Sequence, residues 1–293
     1  MGKCVITPLP HYPMIKIVTD SAMDVPPDIV EKYGITVIPV YVNIGEKGYL
    51  EGVELSRQEF YDNLEKYEPY PTTAAPSPGT FAEVYERLTR EGATEILSIH
   101  LASALSATCD NARIGAEAAE NTCPVHIFDS QQITLGGGLL VLTAVESLAA
   151  GKSLPDILQI LNERVPRTRV FGMIDTMESL RRGGRVSWAQ FGIGTLLQIK
   201  PVMMISAGEI NVIAKVRTRK KALPEMLRLV EEFGPFERIA ILHVRAPEAA
   251  VELQQQSVHL FPAGETPLIA EVTPAIGAHL GLGAVGFAAI AAR

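Results

Sequence analysis

The stretch EILSIHLASALSATCDNARIGAEAAENTCPVHIFDS (residues 95–130) decides the fold of this 293-residue chain. It begins with an apolar run typical of a buried strand, continues through a helical pattern, and ends in a second apolar strand. In a strand–helix–strand unit the helix carries the chain back across the sheet, so the two strands run parallel. This stretch therefore predicts an α/β fold built on a parallel sheet.

The same alternation of strand and helix patterns covers residues 14–167. Its other clear elements are the strands MIKIVTDS (14–21) and ITVIPVYV (35–42) and the helices SPGTFAEVYERLTREG (77–92) and LGGGLLVLTAVESLAAG (135–151). The second of these helices is almost uncharged and is expected to be buried. We therefore expect a first domain with a doubly wound parallel sheet over residues 14–167, after a short lead-in over residues 1–13.

The pattern changes after residue 167. Two apolar strands, IKPVMMIS (199–206) and EINVIAKVR (209–217), face each other across Ala207-Gly208, a dipeptide that favours a hairpin turn. The elements that follow are a helix near residues 220–233, the strand RIAILHV (238–244), a helix through Val251, the strand PLIAEV (267–272) and a final helix. These elements predict a second α/β domain over residues 168–293 with a mainly antiparallel sheet.

Composition argues against several classes of function. With 26 Lys and Arg against 33 Asp and Glu, the net charge is −7, which disfavours a nucleic-acid partner because phosphate binding needs a basic surface. The three cysteines share no C-x-x-C spacing, and so sparse a set is typical of a reducing compartment. The sequence has no His-Glu-x-x-His or Gly-x-Ser-x-Gly motif and no Cys/His cluster. We therefore expect a cytoplasmic protein without a metal or a cofactor.

The uncharged segment Val272–Ala292 raises two further alternatives. It is long enough to cross a bilayer, but it contains Pro274, His279 and four glycines, so we expect a buried protein segment and no membrane span. Within it, GLGAVG (281–286) matches the dinucleotide motif G-x-G-x-x-G. Only seven residues follow this motif, too few for the helix and the acidic residue that such a site needs. Nucleotide binding is therefore not expected.

Small hydroxyl residues stand where the predicted strands end, which is where ligands of doubly wound sheets gather. They occur in the segments VTDS (18–21), LASALSAT (101–108) and FDSQ (128–131), and a further loop, TTAAPS (72–77), offers more. Ser21, Ser77 and Ser130 have an ordinary explanation, since each is placed to cap the helix that follows. Capping therefore accounts for part of this set.

Helix capping does not account for the other hydroxyl groups. Ser103 and Ser106 cannot both cap one helix, and Thr73 lies four residues before Ser77. Spare hydroxyls beside the free N–H groups of a helix N-terminus form a site for an anion such as a carboxylate. They suit binding better than catalysis, because no base lies beside them in the sequence to activate a nucleophile.

The segment SLRRGGRVS (179–187) is a basic turn in which Arg181, Arg182 and Arg185 surround two glycines. It has two interpretations, an ordinary solvated loop or a loop that docks a partner or contacts an anion. The same arginines leave open a kinase-like or phosphate-handling enzyme as an alternative function. Against an enzyme, neither an acidic cluster for Mg²⁺ nor a Walker lysine stands out in the sequence.

Taken together and in order, these motifs resemble the DegV family of fatty-acid-binding proteins. The similar segments are VTDSAMDVP (18–26), TTAAPSPGTF (72–81), LASALSAT (101–108), FDSQ (128–131), ESLRRGGRVS (178–187), LLQIKPVM (196–203) and TPAIGAHLGLGAVG (273–286). Each segment is weak evidence alone, but seven in the right order are specific. The resemblance extends over nearly all of the chain from Met14 onward.

The resemblance implies a Rossmann-like domain and a second α/β domain that hold one long-chain fatty acid, of the palmitate, stearate or oleate class, between them. Family members bind the carboxylate through loop hydroxyls, which by position are Thr73, Ser103 and Ser106, and His279 is a further lipid-binding candidate. Some bacterial members present the fatty acid to a kinase that makes acyl-phosphate, so a carrier is implied and not an enzyme. Arg182 and Arg185 are then the candidates for docking that partner.

The chain departs from the family pattern near the expected carboxylate site. Alanine replaces polar residues or glycine at Ala74, Ala75, Ala102, Ala104 and Ala107. Fewer polar groups are therefore expected around the carboxylate. The uncharged helix at 134–145 and the final helix are expected to supply walls of the tunnel.

Overall fold

Three β-sheets organise the described part of the chain, which comprises residues 14–175, 177–184, 199–264 and 266–293 of a computed structural model. The first sheet has four parallel strands, the second has six mainly antiparallel strands, and the third has three antiparallel strands. The expected α/β architecture is therefore confirmed. The lead-in expected over residues 1–13 lies outside the described residues.

Strands and helices alternate through the first half of the chain. In chain order the strands are β1 (Ile15–Asp20), β2 (Thr36–Ile38), β3 (Tyr41–Ile44), β4 (Lys47–Leu50), β5 (Thr72–Ala74), β6 (Glu95–His100), β7 (Val125–Asp129), β8 (Thr168–Met173), β9 (Lys200–Ser206), β10 (Glu209–Val216), β11 (Phe236–His243), β12 (Leu268–Glu271) and β13 (Val285–Ala291). The α-helices are α1 (Pro27–Tyr33), α2 (Arg57–Asn63), α3 (Pro78–Arg90), α4 (Thr108–Ala118), α5 (Thr134–Ala149), α6 (Leu154–Arg164), α7 (Glu178–Arg182), α8 (Arg219–Phe233), α9 (Pro247–Gln256) and α10 (Pro274–Leu280).

The first sheet has the strand order β2-β1-β6-β7, and all neighbouring strands are parallel. Residues 95–130 supply β6, α4 and β7, as predicted. Helix α3 begins where predicted, because Ser77 Oγ accepts a hydrogen bond from the Thr80 N–H at 3.2 Å. Its apolar face is buried and packs against α4, and the buried residues are Phe81, Tyr85 and Leu88.

The strand predicted over residues 35–42 is divided between two sheets, so the prediction of one strand is wrong. β2 pairs with β1, whereas β3 pairs with β4 and β5 in the three-stranded sheet. Pro39 has no N–H to donate, and the Val40 N–H donates to Ser21 Oγ at 2.9 Å, so the first sheet cannot continue there. Residues 41–74 (β3, β4, α2 and β5) form what we call the small-sheet excursion.

The six-stranded sheet has the order β10-β9-β8-β13-β11-β12, in which β11 and β12 pair in parallel and the other neighbours are antiparallel. Strands β9 and β10 form the predicted hairpin across Ala207-Gly208. The final helix is only partly as predicted, because α10 ends at Leu280 and the next apolar run forms β13. In the described ranges, no helix combines the length and the apolar character that crossing a bilayer requires.

The residues of strand β13 were predicted to be helical because they are rich in alanine and glycine. It lies between β8 and β11, and its residues Val285–Ile290 are buried. Ala288 packs towards α5 and Ala289 packs towards α8 and α9, so both faces of the strand are covered. Small residues on a doubly covered strand give no polar–apolar alternation, which is the signal that identifies strands in a sequence.

Helix α5 lies between the two larger sheets. Thirteen of its sixteen residues are buried, and it contacts β1 and β6 on one side and β8, β11 and β13 on the other. A Cβ atom on Gly136 would lie 2.5 Å from Val170 Cγ2 in β8, and one on Gly138 would lie 2.5 Å from the Met23 carbonyl oxygen. Any side chain at these positions would force the helix away from one of the sheets.

We expect Gly138→Ala to lower the free energy of unfolding by about 1–3 kcal/mol, because the added methyl group collides with the Met23 carbonyl. This loss exceeds the helix propensity that alanine gains over glycine, which is ~1 kcal/mol. Gly137→Ala is the matched control, since its methyl group meets the flexible end of the Met23 side chain and is expected to cost less. Urea unfolding measures both variants, and a Gly138→Ala protein as stable as the wild type would contradict the prediction.

Candidate functional site

A cavity of about 80 Å³ lies where three segments meet: β5 with the residues after it, the loop from β6 to α4, and helix α10. Its polar lining residues are Thr73, Ser106, Thr108 and His279. The rest of its lining includes the apolar residues Leu101, Leu105, Ile133, Ile210, Ile276 and Leu280. We call it the hydroxyl cavity.

A second cavity, of about 40 Å³, lies between the start of α5 and the six-stranded sheet. Its lining side chains are predominantly hydrocarbon and include Val170, Ile174, Met203, Leu242 and Ala284. We call it the apolar cavity. Ile133 and Leu280 line both cavities, so the two cavities adjoin at these residues. Together they offer polar groups at one end and hydrocarbon at the other.

Thr73 and His279 meet in the hydroxyl cavity although 206 positions separate them in the sequence. Thr73 Oγ1 lies 3.1 Å from His279 Nε2. Strand β5 fixes Thr73 by pairing with β3, and the Tyr70 hydroxyl fixes α10 by donating to the Ala278 carbonyl oxygen at 2.8 Å. The small-sheet excursion, which includes Tyr70 and β5, thus brings these two side chains together.

The glycines of the Arg-Gly-Gly-Arg motif have an explanation in packing. A Cβ atom on Gly183 would overlap the ring of His279 at Nδ1, so only glycine lets the end of α7 lie against this ring. Gly184 has a φ of 66°, a left-handed conformation that favours glycine. The motif therefore shapes the surroundings of His279, whatever its arginines do.

The two serines of the loop before α4 differ in their surroundings. Ser106 lines the hydroxyl cavity, and its Oγ lies 2.9 Å from Thr108 Oγ1. Ser103 is exposed, and its hydroxyl donates to Asp129 Oδ2 at 2.5 Å. The structure thus brings Thr73, Ser106 and His279 together around one cavity and directs Ser103 to Asp129.

The capping interpretation holds for Ser77 and is wrong for Ser21 and Ser130. Ser21 Oγ accepts from the Val40 N–H and donates to Glu51, so it joins β1 to the small-sheet excursion. Ser130 Oγ accepts from the Gln132 N–H at 3.2 Å, which closes a turn before α5. In both cases the chain makes a turn or a tertiary contact before the helix begins.

The two candidate docking arginines lie in and after α7. Arg182 is exposed, its guanidinium lies 5.2 Å from the Tyr70 ring centre, and its Nε donates to Glu178 at 2.8 Å. Hydrogen bonds from Arg181 and Arg182 lower the pKa of Glu178 to about 2. Arg185 lies outside the described residues.

Two of the family departures support the hairpin between β9 and β10. The Gly208 N–H at the tip donates to the Gln131 carbonyl oxygen at 2.8 Å. A Cβ atom on Gly208 would lie 3.1 Å from Ala104 Cβ and 3.5 Å from Ala102 Cβ. Ala102 and Ala104 therefore pack under the hairpin tip, which brings Ile210 of β10 to the hydroxyl cavity.

A buried pair of carboxyl groups holds the start of α10, and the sequence analysis missed it. Asp24 Oδ1 accepts from the Thr273 N–H at 2.8 Å, and Glu51 Oε2 accepts from the Ala275 N–H at 2.6 Å. Asp24 also accepts from the Thr134 hydroxyl. No sequence pattern signals this role, because the groups of Thr134, Thr273 and Ala275 that these acids bind lie more than 100 positions away.

Burial raises the pKa of both acids. The pKa of Glu51 rises from its ordinary 4.5 to about 7 because burial removes water, and the charge of Asp24 adds to the rise while hydrogen bonds from Ser21 and Ala275 oppose it. The pKa of Asp24 rises from 3.8 to about 6, again through burial and against hydrogen bonds from Thr134 and Thr273. Arg57 is the cation near both groups and lowers both values.

Comparison with known proteins supplies independent findings. The model of the DegV family, described as an uncharacterised protein family, matches residues 14–292. A DegV domain-containing protein from Deinococcus radiodurans is 36% identical over 281 residues, which cover 94% of this chain and 97% of that protein.

Two solved structures are similar to this chain over nearly its whole length. A DegV family protein from Thermus thermophilus, described as binding fatty acid, is 34% identical with a TM-score of 0.85, and the match covers 95% of this chain and 100% of that chain. DegV from Bacillus subtilis, described as a fatty acid binding protein, is 33% identical with a TM-score of 0.85, and the match covers 95% and 99%.

The acid pair predicts a specific pH dependence of stability. The folded protein binds protons on Glu51 and Asp24 more tightly than the unfolded chain does, so this stabilisation is lost as the pH rises through about 6 and 7. The shift of Glu51 corresponds to on the order of 3 kcal/mol. Glu51→Gln is therefore expected to flatten the fall in unfolding free energy between about pH 5 and about pH 8.

Urea unfolding across this pH range measures the effect. The side-chain amide introduced by Glu51→Gln keeps an oxygen for the Ala275 N–H, but its NH2 group cannot accept from the Ser21 hydroxyl, so the test compares the change of stability with pH and not the stability at one pH. Glu46→Gln, at an exposed position of the small-sheet excursion, is the control and is expected to keep the wild-type pH dependence. Equal pH dependence in the wild type and in Glu51→Gln would show that Glu51 is not the titrating group.

Proposed function

The chain belongs to the DegV family, and on that premise we propose that it binds one long-chain fatty acid between a first domain over residues 14–167 and a second over residues 168–293. The observation that carries the proposal is the junction of the hydroxyl cavity and the apolar cavity at Ile133 and Leu280. A fatty acid has the same division, with a carboxylate at one end and hydrocarbon along the rest. The T. thermophilus and B. subtilis relatives are described as binding fatty acid.

The hydrocarbon end dominates the energetics of such a ligand. A chain of about 14 methylenes gains on the order of 11 kcal/mol gross on leaving water, at ~0.8 kcal/mol for each methylene. A hydrogen bond to a charged group contributes only ~1.5–3 kcal/mol. The apolar cavity therefore sets affinity, and the hydroxyl cavity sets the orientation of the ligand, which suits acids of the palmitate, stearate or oleate class.

The carboxylate is assigned to Thr73, Ser106 and His279. Hydroxyl groups and an imidazole N–H are donors that a carboxylate accepts, and these three residues line one cavity. The hydroxyl of Ser103 is already donated to Asp129. We therefore assign Ser103, which the family resemblance also placed at the carboxylate, to holding the loop that carries Ser106.

Entry of an acyl chain requires the walls of both cavities to move apart. Their volumes, about 80 Å³ and about 40 Å³, are below the ~300 Å³ of typical small-molecule pockets. Met203 and Leu280 line the apolar cavity, and a methionine side chain changes rotamer at little cost. The proposed tunnel is therefore opened by its ligand.

The family resemblance extends the proposal to a carrier that presents the bound acid to a fatty acid kinase in the cytoplasm. Arg182 is exposed at the end of α7, and it packs on Tyr70, which in turn holds α10 beside the hydroxyl cavity. A partner that contacts Arg182 would therefore dock close to the carboxylate. The free thiols of Cys109 and Cys123 suit a reducing compartment. We assign no cofactor and no catalytic residue to the chain.

Denaturing extraction of the purified protein, followed by mass spectrometry, tests whether it holds a fatty acid. We expect about one long-chain fatty acid for each chain, or stoichiometric binding of added palmitate or oleate. Thr73→Ala, Ser106→Ala and His279→Ala are each expected to weaken binding about 5- to 100-fold without unfolding the protein. Ser103→Ala is the comparison variant and is expected to have a smaller effect, because its hydroxyl bonds Asp129.

Two outcomes would contradict this assignment. A protein that yields no acyl chain and binds none when it is added does not have the proposed function. Unchanged affinity in the Thr73, Ser106 and His279 variants would leave the function standing and remove the assigned carboxylate site.

Docking is tested with the double variant Arg182→Ala, Arg185→Ala. We expect fatty-acid affinity within about twofold of the wild type and at least about tenfold slower phosphorylation of the bound acid by a fatty acid kinase, because charges at the rim of an interface govern association. Arg90→Ala, an exposed arginine at the end of α3, is the control. ATP turnover by the chain alone would instead support the kinase-like alternative.

A further inference from the structure

Gly172 is the fifth of the six residues of β8, a strand in the interior of the six-stranded sheet. It pairs with Met203 of β9 on one side and with Gly286 of β13 on the other. Glycine weakens the interior of a strand, because it loses more conformational freedom than other residues and has no side chain to pack. A glycine in this position therefore calls for a physical reason.

The protein itself does not supply that reason. The φ of Gly172 lies outside the left-handed region, so the backbone accepts any residue. A Cβ atom there would come no closer than 4.0 Å to another atom, the Val285 carbonyl oxygen. Gly286, its cross-strand partner, is different, because a Cβ atom there would overlap the Phe171 carbonyl oxygen. Gly286 is required by packing and Gly172 is not.

The missing side chain of Gly172 leaves space in the apolar cavity. In β8 and the residue after it, Val170 and Ile174 belong to the core that surrounds α5, whereas Phe171 and Met173 belong to the core on the other face. Alternation along the strand places Gly172 on the α5 face, and it lines the apolar cavity there. It is only half-buried although both neighbouring strands flank it.

We propose that Gly172 determines the length of acyl chain that the protein accepts, by leaving bare backbone in the wall of the apolar cavity for the last methylenes of the ligand. The inference rests on the proposed function and adds a residue that sets its specificity. A side chain at this position takes the space of the distal methylenes and leaves the hydroxyl cavity unchanged. Short acyl chains are then held as before, and long ones are not.

The test is the affinity of purified Gly172→Val and wild-type protein for dodecanoate, myristate, palmitate and stearate. Each methylene is worth about fourfold in affinity, and the valine side chain displaces about two methylenes. We therefore expect affinity for palmitate and stearate to fall at least about tenfold and affinity for dodecanoate to stay within about threefold. Gly172→Ala is expected to lower stearate affinity about fourfold.

Ala214→Val is the matched control. It adds a branched side chain to β10 of the same sheet, at a half-buried position of the core on the other face. We expect it to leave the chain-length profile unchanged. Circular dichroism and urea unfolding of each variant without ligand establish that it is folded, and Gly172→Ala decides the question if Gly172→Val does not fold.

The outcomes separate this inference from the proposed function. A wild-type profile in the Gly172 variants, or an equal loss of affinity for all four acids, overturns the role of Gly172 while fatty-acid binding by the wild type stands. Wild-type protein that binds none of the acids overturns the proposed function and this inference with it. Selective loss of the longer acids supports both.

Discussion

Helix α5 packs against both larger sheets at once, and it makes these contacts through glycines. Gly136 meets Val170 of the six-stranded sheet, and Gly138 meets the backbone of Met23 after β1. A helix that is buried all round serves two sheets as a common core, which explains why its sequence is apolar without a clear polar face. The glycines of this one helix let the two sheets pack close together.

The candidate functional site is a consequence of that proximity. Asp24 and Glu51 come from the first half of the chain and hold the N–H groups at the start of α10, which belongs to the second half. Thr73 and Tyr70 hold the other end of the same helix, through His279 and the Ala278 carbonyl oxygen. Neither half contains the hydroxyl cavity alone, since its walls come from both.

Sequence patterns were sufficient where a strand or helix has one exposed side or a clear turn, as around α4 and at the β9–β10 hairpin. Strand β13 was not predictable, because both its faces are buried and small residues give no alternation. The motifs pointed to Ser106 and to Ser103 alike, since spacing cannot show which of two nearby hydroxyls faces a cavity. Asp24 lies within VTDSAMDVP and Glu51 lies outside every motif, and neither position signals its role, because that role lies in partners that only tertiary structure brings near.

The alanines that replace polar residues or glycine of the family pattern remove polar groups near the candidate site and contribute to packing instead. Ala102 and Ala104 stand where the family pattern has a polar residue and a glycine beside the hydroxyl cavity. In this structure they contact Gly208 at the hairpin tip. That contact positions β10, whose Ile210 adds hydrocarbon to the cavity wall. Because methylenes contribute more to the binding of a long acyl chain than any single hydrogen bond, the fatty-acid binding that we propose is compatible with fewer hydroxyl groups beside an apolar wall.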